Sequence, residues 1–178
     1  MTMPTLLLQA LVPDAFAPYG TIVGAGERIG RPVNDGTAQR IDLPDPDVVD
    51  HGGRPALAVF RARAVRLPFV VRALERHRRG SQTFVALGAT PFAVVVALGD
   101  ARPDLSTLRA FRVDARAGIT FARGTWHHPL LALADGDFVV LERRGATPDC
   151  EVAAVAETLL VDAPGASTKR TQAPDASA

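Results

Sequence analysis

The sequence predicts an all-β domain, an antiparallel barrel or sandwich with few helices. Short β-prone runs recur at roughly ten-residue spacing through the centre of the chain, separated by turn residues. In some runs apolar and polar residues alternate: Ala58 and Phe60 are apolar, and the charged Arg61 and Arg63 occupy the alternate positions. The 178 residues suit one domain, and 47% hydrophobic with 22% charged residues lies in the globular range.

The N-terminal part predicts a turn followed by a strand. In "VPDAFAPYGTIV", Asp14 is placed to cap a short helical turn, and the breakers Pro18 and Gly20 precede a β-branched run. From Gly24 to Gly53 the chain is rich in glycine, proline and aspartate. We expect irregular structure there, with brief strand-like pieces around "AQRIDL".

The centre and the C-terminal part complete the predicted domain, which spans residues 1–162. The central strands are predicted at "ALAVFRARAV", "SQTFVAL", "PFAVVVALG", "LRAFRV", "GITFAR", "LLAL" and "DFVVLERR". A last helical turn is predicted at "CEVAAVAETLLV". Residues 163–178 are small, polar and proline-containing, and we expect a disordered tail there.

Charge and cysteine content exclude several classes of function. Twenty Lys and Arg oppose 19 Asp and Glu, so the net charge of +1 predicts neither a nucleic-acid nor a membrane partner. Cys150 is the single cysteine, which rules out an intramolecular disulfide and favours a reducing compartment. The opening segment lacks a basic region and is broken by Pro13, so neither a secretory signal nor a spanning helix fits. We therefore expect a cytoplasmic protein.

The stretch "ERHRRGSQ" predicts a polar cluster. Residues two apart on a strand share a face, so Glu75 and His77 project to the same side, about 6–7 Å apart. After the turn, Gln82 begins the next strand and is expected to face the same point from across a hairpin. The alternative is a solvated charged turn, because a histidine on a strand is more often satisfied or exposed than a ligand.

A second segment, "GITFARGTWHHPL", adds two histidines. Consecutive strand residues point to opposite faces, so only one of His127 and His128 can enter the barrel. Trp126 is expected to be a wall or core residue, since its indole offers one donor and no acceptor. Cys150 is expected to be inert, because no histidine lies near it in sequence.

These spacings resemble the two motifs of the cupin superfamily, His-x-His-x3-4-Glu and Pro-x-Gly-x-x-His. Glu75, His77 and Gln82 fall on the first motif and His127 on the second, with Ala122 in place of the proline. The resemblance implies a cupin-like β-barrel or jelly roll with a metal site on these four residues. Nitrogen and oxygen donors without a thiolate suit Ni²⁺, Mn²⁺, Fe²⁺, Co²⁺ or Zn²⁺, and no organic cofactor is implied.

The chain also resembles, more closely, the ureidoglycolate lyases of allantoin degradation in purine metabolism. The matching segments are "AFAPYG", "NDG", "LERHRRGSQTF", "FAVVVALGD", "PDLSTLRAF", "TWHHPL" and "DFVVLERRG". This resemblance implies cleavage of (S)-ureidoglycolate to glyoxylate and urea by a homodimer that holds a divalent metal, usually nickel. Two departures are Phe121, where the family often has tyrosine, and "ERRG" in place of "DRGG".

The implied reaction assigns roles to particular residues. His77, His127 and Glu75 are the predicted catalytic residues, because elimination from the substrate needs a base and an acid. A substrate carboxylate needs an arginine, and the predicted substrate-binding residues are, in order of preference, Arg61, Arg72 and Arg40, with Asn34 on the ureido group. Two alternatives stay open: an amidohydrolase that releases ammonia, and a non-enzymatic cupin that binds a small acid.

Overall fold

The computed structural model describes residues 4–114 and 116–165, which form a β-fold with one short helix, α1 (Pro13–Phe16). The first half of the chain contributes the strands β1 (Thr5–Leu7), β2 (Gln9–Ala10), β3 (Gly20–Val23), β4 (Arg31–Val33), β5 (Ala38–Arg40), β6 (Arg54–Ala62), β7 (Phe69–His77) and β8 (Gln82–Ala86). The second half contributes β9 (Phe92–Leu98), β10 (Asp104–Val113), β11 (Gly118–Phe121), β12 (Trp126–His127), β13 (Leu131–Ala132), β14 (Gly136–Arg144) and β15 (Cys150–Asp162).

The strands form two facing sheets and a small hairpin. The larger sheet has eight strands in the order β1-β15-β7-β12-β9-β10-β2, with β13 also paired to β9. The smaller has five strands in the order β3-β11-β8-β14-β6, and β4 pairs with β5 alone. Most pairs are antiparallel, and the predicted all-β, barrel-like fold is confirmed.

The main core lies between the two sheets. It is made of aromatic and β-branched side chains from both: Phe16, Tyr19, Phe84, Phe92, Val94, Val96, Phe111, Val113, Ile119, Phe121, Phe138 and Val140. A second apolar layer covers the outer face of the larger sheet and includes Val95, Ala97 and Trp126. The strand β9 is buried on both faces for this reason, which explains its unbroken apolar sequence "FAVVVAL".

Two local predictions are wrong. The segment "CEVAAVAETLLV" is not helical but forms the strand β15, because it fills the hydrogen-bonding edge of β7 and also pairs with β1. Asp14 is not a cap, since it lies inside α1, and Val12 occupies the cap position without a side-chain hydrogen bond. The prediction for the segment 24–53 holds: it is largely irregular, and β5 lies within the strand-like piece "AQRIDL" and pairs with β4.

The predicted domain end coincides in position with the last residue of β15, Asp162. Of the tail predicted to be disordered, residues 166–178 lie outside the described part of the chain. Within the described ranges, no helix has the length and apolar character that crossing a bilayer requires.

Candidate active site

Two neighbouring strands of the larger sheet bring three of the predicted donors together. His127 on β12 is paired in register with Glu75 on β7, and His77 lies two residues further along the same face of β7. Glu75 Oε1 lies 3.6 Å from His127 Nε2, and the two imidazole centroids are 5.5 Å apart. One ligand atom from each of the three residues lies within 4.8 Å of the others, a spacing that a single metal ion can bridge.

The turn before β12 is built to deliver His127. Gly124 adopts a positive φ of 83°, which favours glycine, and its N–H donates to the carbonyl of His77 over 2.8 Å. This bond ties the entry of β12 to the end of β7. His127 is then only 1% exposed and stacks on Phe121, with ring centroids 4.2 Å apart and planes 16° from parallel.

Backbone carbonyls fix the tautomer of both imidazoles. Nδ1 of His127 lies 2.9 Å from the carbonyl of Thr125, and Nδ1 of His77 lies 3.2 Å from that of Asp149. A carbonyl can only accept, so each Nδ1 carries a proton and, when the ring is neutral, each Nε2 presents a lone pair. Both Nε2 atoms are buried without a hydrogen-bond partner, although that of His127 lies near Glu75. This is the arrangement of histidines prepared to ligate a metal.

Gln82 joins the cluster by a different route from the predicted one. The strands β7 and β8 belong to different sheets, so the predicted hairpin across which Gln82 would face Glu75 does not exist. Gln82 instead pairs in register with Phe121 on one side and Glu142 on the other. Cross-strand partners point to the same face, and Phe121 lies against His127, so Gln82 projects between the sheets toward the cluster.

Gln82 has one satisfied and one unsatisfied end. Its Nε2 donates to Glu142 Oε2 over 3.1 Å, whereas its Oε1 is buried without a partner. The side chain is 5% exposed, so solvent does not readily satisfy that oxygen. The set of unpartnered atoms, two imidazole nitrogens and one amide oxygen beside a carboxylate, fits a divalent ion of borderline character.

The protonation of the cluster follows from burial and charge. Burial raises the pKa of Glu75, but the contact with His127 and the positive charge that each imidazole carries when protonated outweigh it, so the net pKa lies below the usual value and the carboxylate is ionised at neutral pH. Burial, with repulsion from His127, lowers the pKa of His77, which keeps its imidazole neutral. A neutral imidazole is the form that binds a metal or accepts a proton.

The four residues predicted to bind substrate lie away from this cluster within the chain. Arg61 points outward from β6 with its side chain 86% exposed and makes two hydrogen bonds to Asp137, at 2.9 and 3.1 Å. Arg40 is exposed and paired with Asp42, and Arg72 is exposed on the face of β7 opposite Glu75 and His77. Asn34 lies exposed in the β4–β5 turn. Alternation along a strand identifies a face, but only the packed sheet shows that Arg61 takes the outer one.

The expectation for Trp126 agrees with its position, and His128 packs outside the cluster. His128 lies edge-on against Phe69, 5.3 Å between centroids, and burial lowers the pKa of its imidazole. Trp126 is buried on the outer face of the larger sheet, where the Arg76 guanidinium stacks 4.3 Å from its ring. Neither side chain belongs to the cluster.

The sequence did not predict that Glu142, Arg144 and Cys150 lie near the cluster. A cavity of about 380 Å³ is lined by His77, Glu142, Arg143, Arg144, Cys150 and the connecting loop 145–149. Cys150 pairs in register with His77, and its thiol donates to Glu75 Oε2 over 3.5 Å. Burial and the neighbouring carboxylate of Glu75 raise the pKa of this thiol to about 11, so it stays neutral, as the expectation of an inert cysteine requires. The only available signal was alternation in "VVLERRG", which places Glu142 and Arg144 on one face.

Comparisons with known proteins assign the family. The sequence model of the ureidoglycolate lyase family matches residues 3–162. A Burkholderia cepacia protein named ureidoglycolate lyase is 43% identical over 152 residues, which cover 83% of this chain and 85% of that one. Proteins of the same name from Pseudomonas entomophila and Salmonella paratyphi B are 38% and 39% identical, over 84% and 79% of this chain and 90% and 88% of theirs. The chain therefore belongs to the ureidoglycolate lyase family.

Proposed function

We propose that this protein cleaves (S)-ureidoglycolate to glyoxylate and urea, in the breakdown of allantoin. The observation that carries the proposal is the convergence of Glu75, His77 and His127 beside a cavity that two arginines, Arg143 and Arg144, also line. Membership of the ureidoglycolate lyase family supports the same reaction.

The reaction places three demands on the site. Ureidoglycolate carries a hydroxyl and a ureido nitrogen on one carbon, next to a carboxylate. The hydroxyl gives up its proton, the C–N electron pair leaves with the nitrogen, and that nitrogen takes up a proton to complete urea. The protein must therefore anchor the carboxylate, accept one proton and return one proton.

Arg144 is the residue best placed to anchor the carboxylate. Alternation along β14 gives it the same side as Phe138, Val140 and Glu142; it is exposed, and it lines the cavity next to His77 together with the buried Arg143. Among the residues described, its guanidinium has no hydrogen-bond or ion-pair partner. A free guanidinium makes two charge-assisted hydrogen bonds to a carboxylate, a geometry that lysine does not reproduce. Arg61 was the residue predicted for this role, but its guanidinium donates to Asp137 on the outer face.

A divalent ion fits the cluster, with Glu75, His77, Gln82 and His127 as its holders and nickel as the ion that the family resemblance favours. When bound, such an ion supplies Lewis acidity that lowers the pKa of a hydroxyl beside it. The carbonyls of Thr125 and Asp149 keep both Nε2 lone pairs directed into the site. Phe121 closes one side of His127 against water.

In the alternative to metal ligation, an imidazole carries the proton directly from the substrate hydroxyl to the departing nitrogen. His127 Nε2 would take the hydroxyl proton, the Glu75 carboxylate 3.6 Å away would stabilise the positive ring, and the same proton would pass to the departing nitrogen. A nitrogen that ligates an ion cannot also accept a proton, so this assignment excludes the metal-ligand role for His127. Activity of chelated and of metal-reconstituted protein separates the two.

The decisive assay is product analysis. Purified protein is given (S)-ureidoglycolate, and glyoxylate, urea and ammonia are quantified together. Glyoxylate and urea in equal amounts establish the lyase. Ammonia formed without urease would instead establish an amidohydrolase, and binding without turnover would establish a protein that only binds a small acid.

We propose two further properties from the same reasoning. The protein is a homodimer through β6, because this edge strand pairs only with β14 among the described strands and exposes the apolar side chains of Leu57 and Val59.

Its location is the cytoplasm, because its single cysteine needs no oxidising compartment.

A further inference from the structure

The fourth predicted donor, Gln82, has an orientation problem that the other three do not have. A glutamine amide can ligate a cation only through its oxygen, and its NH₂ group turned the same way would repel the ion. An NH₂ group turned toward the cluster could also donate to the lone pairs on His77 Nε2 and His127 Nε2, which are buried without a partner. The site therefore needs a group that decides which end of the amide faces inward.

Glu142 is in the position to make that decision. It is the register partner of Gln82 across β8 and β14, so both side chains leave the sheet on the same face. Glu142 Oε2 accepts from Gln82 Nε2 over 3.1 Å. An ionised carboxylate only accepts, so this contact holds the NH₂ group and leaves Oε1, which is buried and unpartnered, as the free end.

We infer that Glu142 is a positioning residue that fixes the amide of Gln82 with its oxygen toward the metal cluster. The inference rests on the metal centre proposed above, and it assigns Glu142 no contact with the ion. Groups that orient metal ligands from behind typically change metal affinity by about 10–100-fold when they are removed. The expected loss on removing the Glu142 carboxylate is of that size.

The test compares Ni²⁺ affinities of the full chain, measured by competition with a chromophoric chelator. The variants are Glu142→Leu, which removes the acceptor, and the exchange Gln82→Glu with Glu142→Gln, which reverses the pair while keeping one oxygen toward the cluster. Glu27→Gln is the matched control, because Glu27 is an exposed loop glutamate far along the chain from β14. Thermal unfolding of each metal-free protein reports on folding separately.

The expected result is wild-type affinity for the Glu27 control, affinity weaker by about 10–100-fold for Glu142→Leu, and recovery to at least wild-type affinity in the exchanged pair. A purely structural role for Glu142 would lower the unfolding temperature without this pattern of loss and recovery. Unchanged affinity in Glu142→Leu, or no recovery in a folded exchanged pair, overturns the inference alone. A wild-type protein that turns over substrate but takes up no Ni²⁺ overturns both the metal centre and this inference, and leaves the lyase reaction standing.

Discussion

Replacing Arg144 by alanine should weaken substrate binding with little effect on the chemical step. Arg144 lines the cavity beside His77, and no described residue neutralises its guanidinium. Its proposed contact is with the substrate carboxylate, which is present before, during and after C–N cleavage. An interaction of equal strength in the ground and transition states changes KM and leaves kcat unchanged.

The size of the effect follows from the position of the side chain. A hydrogen bond to a charged group contributes about 1.5–3 kcal/mol. Arg144 is exposed where it lines the cavity, and solvent screens charge there, so we expect a value at or below the lower end of that range, about 1–2 kcal/mol. This corresponds to a KM raised by about 5–30-fold.

The assay is steady-state kinetics on (S)-ureidoglycolate, with glyoxylate formation as the readout. Arg61→Ala is the matched control, since it also removes one exposed strand arginine, but from the outer face where Asp137 is the partner. Its KM should stay at the wild-type value. A raised KM in the Arg61 variant together with a normal one in the Arg144 variant would return the carboxylate to Arg61 and refute our reading of the cavity.

Three other predictions concern the cluster, the thiol and the sheet edge. His77→Ala and His127→Ala should each abolish turnover while the far-UV circular dichroism stays unchanged; near-normal activity in either would remove that residue from the mechanism. Because the pKa of Cys150 is raised to about 11, its thiolate fraction at pH 8 is only about 0.1%, so alkylation by iodoacetamide should be slow and accelerate about tenfold per pH unit below that pKa. A rate that levels off near pH 9 would contradict the raised value. Leu57→Asp on the edge strand β6 should shift the molar mass seen by light scattering from dimer to monomer, and a dimer that survives it lies on another surface.

Local alternation accounts for what the sequence predicted correctly about the site. Side-chain direction on a strand has a period of two, which places Glu75 and His77 on one face and sends His127 and His128 to opposite faces. Both statements need only the assumption that the segments are strands. In the structure Glu75 and His77 lie on β7 and His127 ends β12, with His128 directly after it, and the register of the two strands places His127 beside Glu75.

Alternation along one strand does not show which distant strands pair with it. The wrong predictions that concern strand pairing share this cause. Gln82 follows β7 closely in sequence, yet β8 joins the other sheet, so proximity along the chain suggested a hairpin that is absent. The alanine-rich segment of β15 has good helix propensity, and the exposed edge of β7 overrides it. Arg61 shows the same limit, because a period of two separates two faces without saying which one is covered.

The division of donors between the sheets has a consequence for the charge of the site. The larger sheet supplies one carboxylate and two imidazoles, which are neutral when they ligate an ion, and the smaller sheet supplies a neutral amide, so a divalent ion held by these groups would keep a net positive charge of about one. The charged side chains that line the adjoining cavity, Glu142, Arg143, Arg144 and Asp149, carry two formal charges of each sign and leave this balance unchanged. A carboxylate in place of the amide of Gln82 would cancel the net positive charge. The neutral fourth donor therefore favours an anionic ligand, and the ureidoglycolate carboxylate is such a ligand.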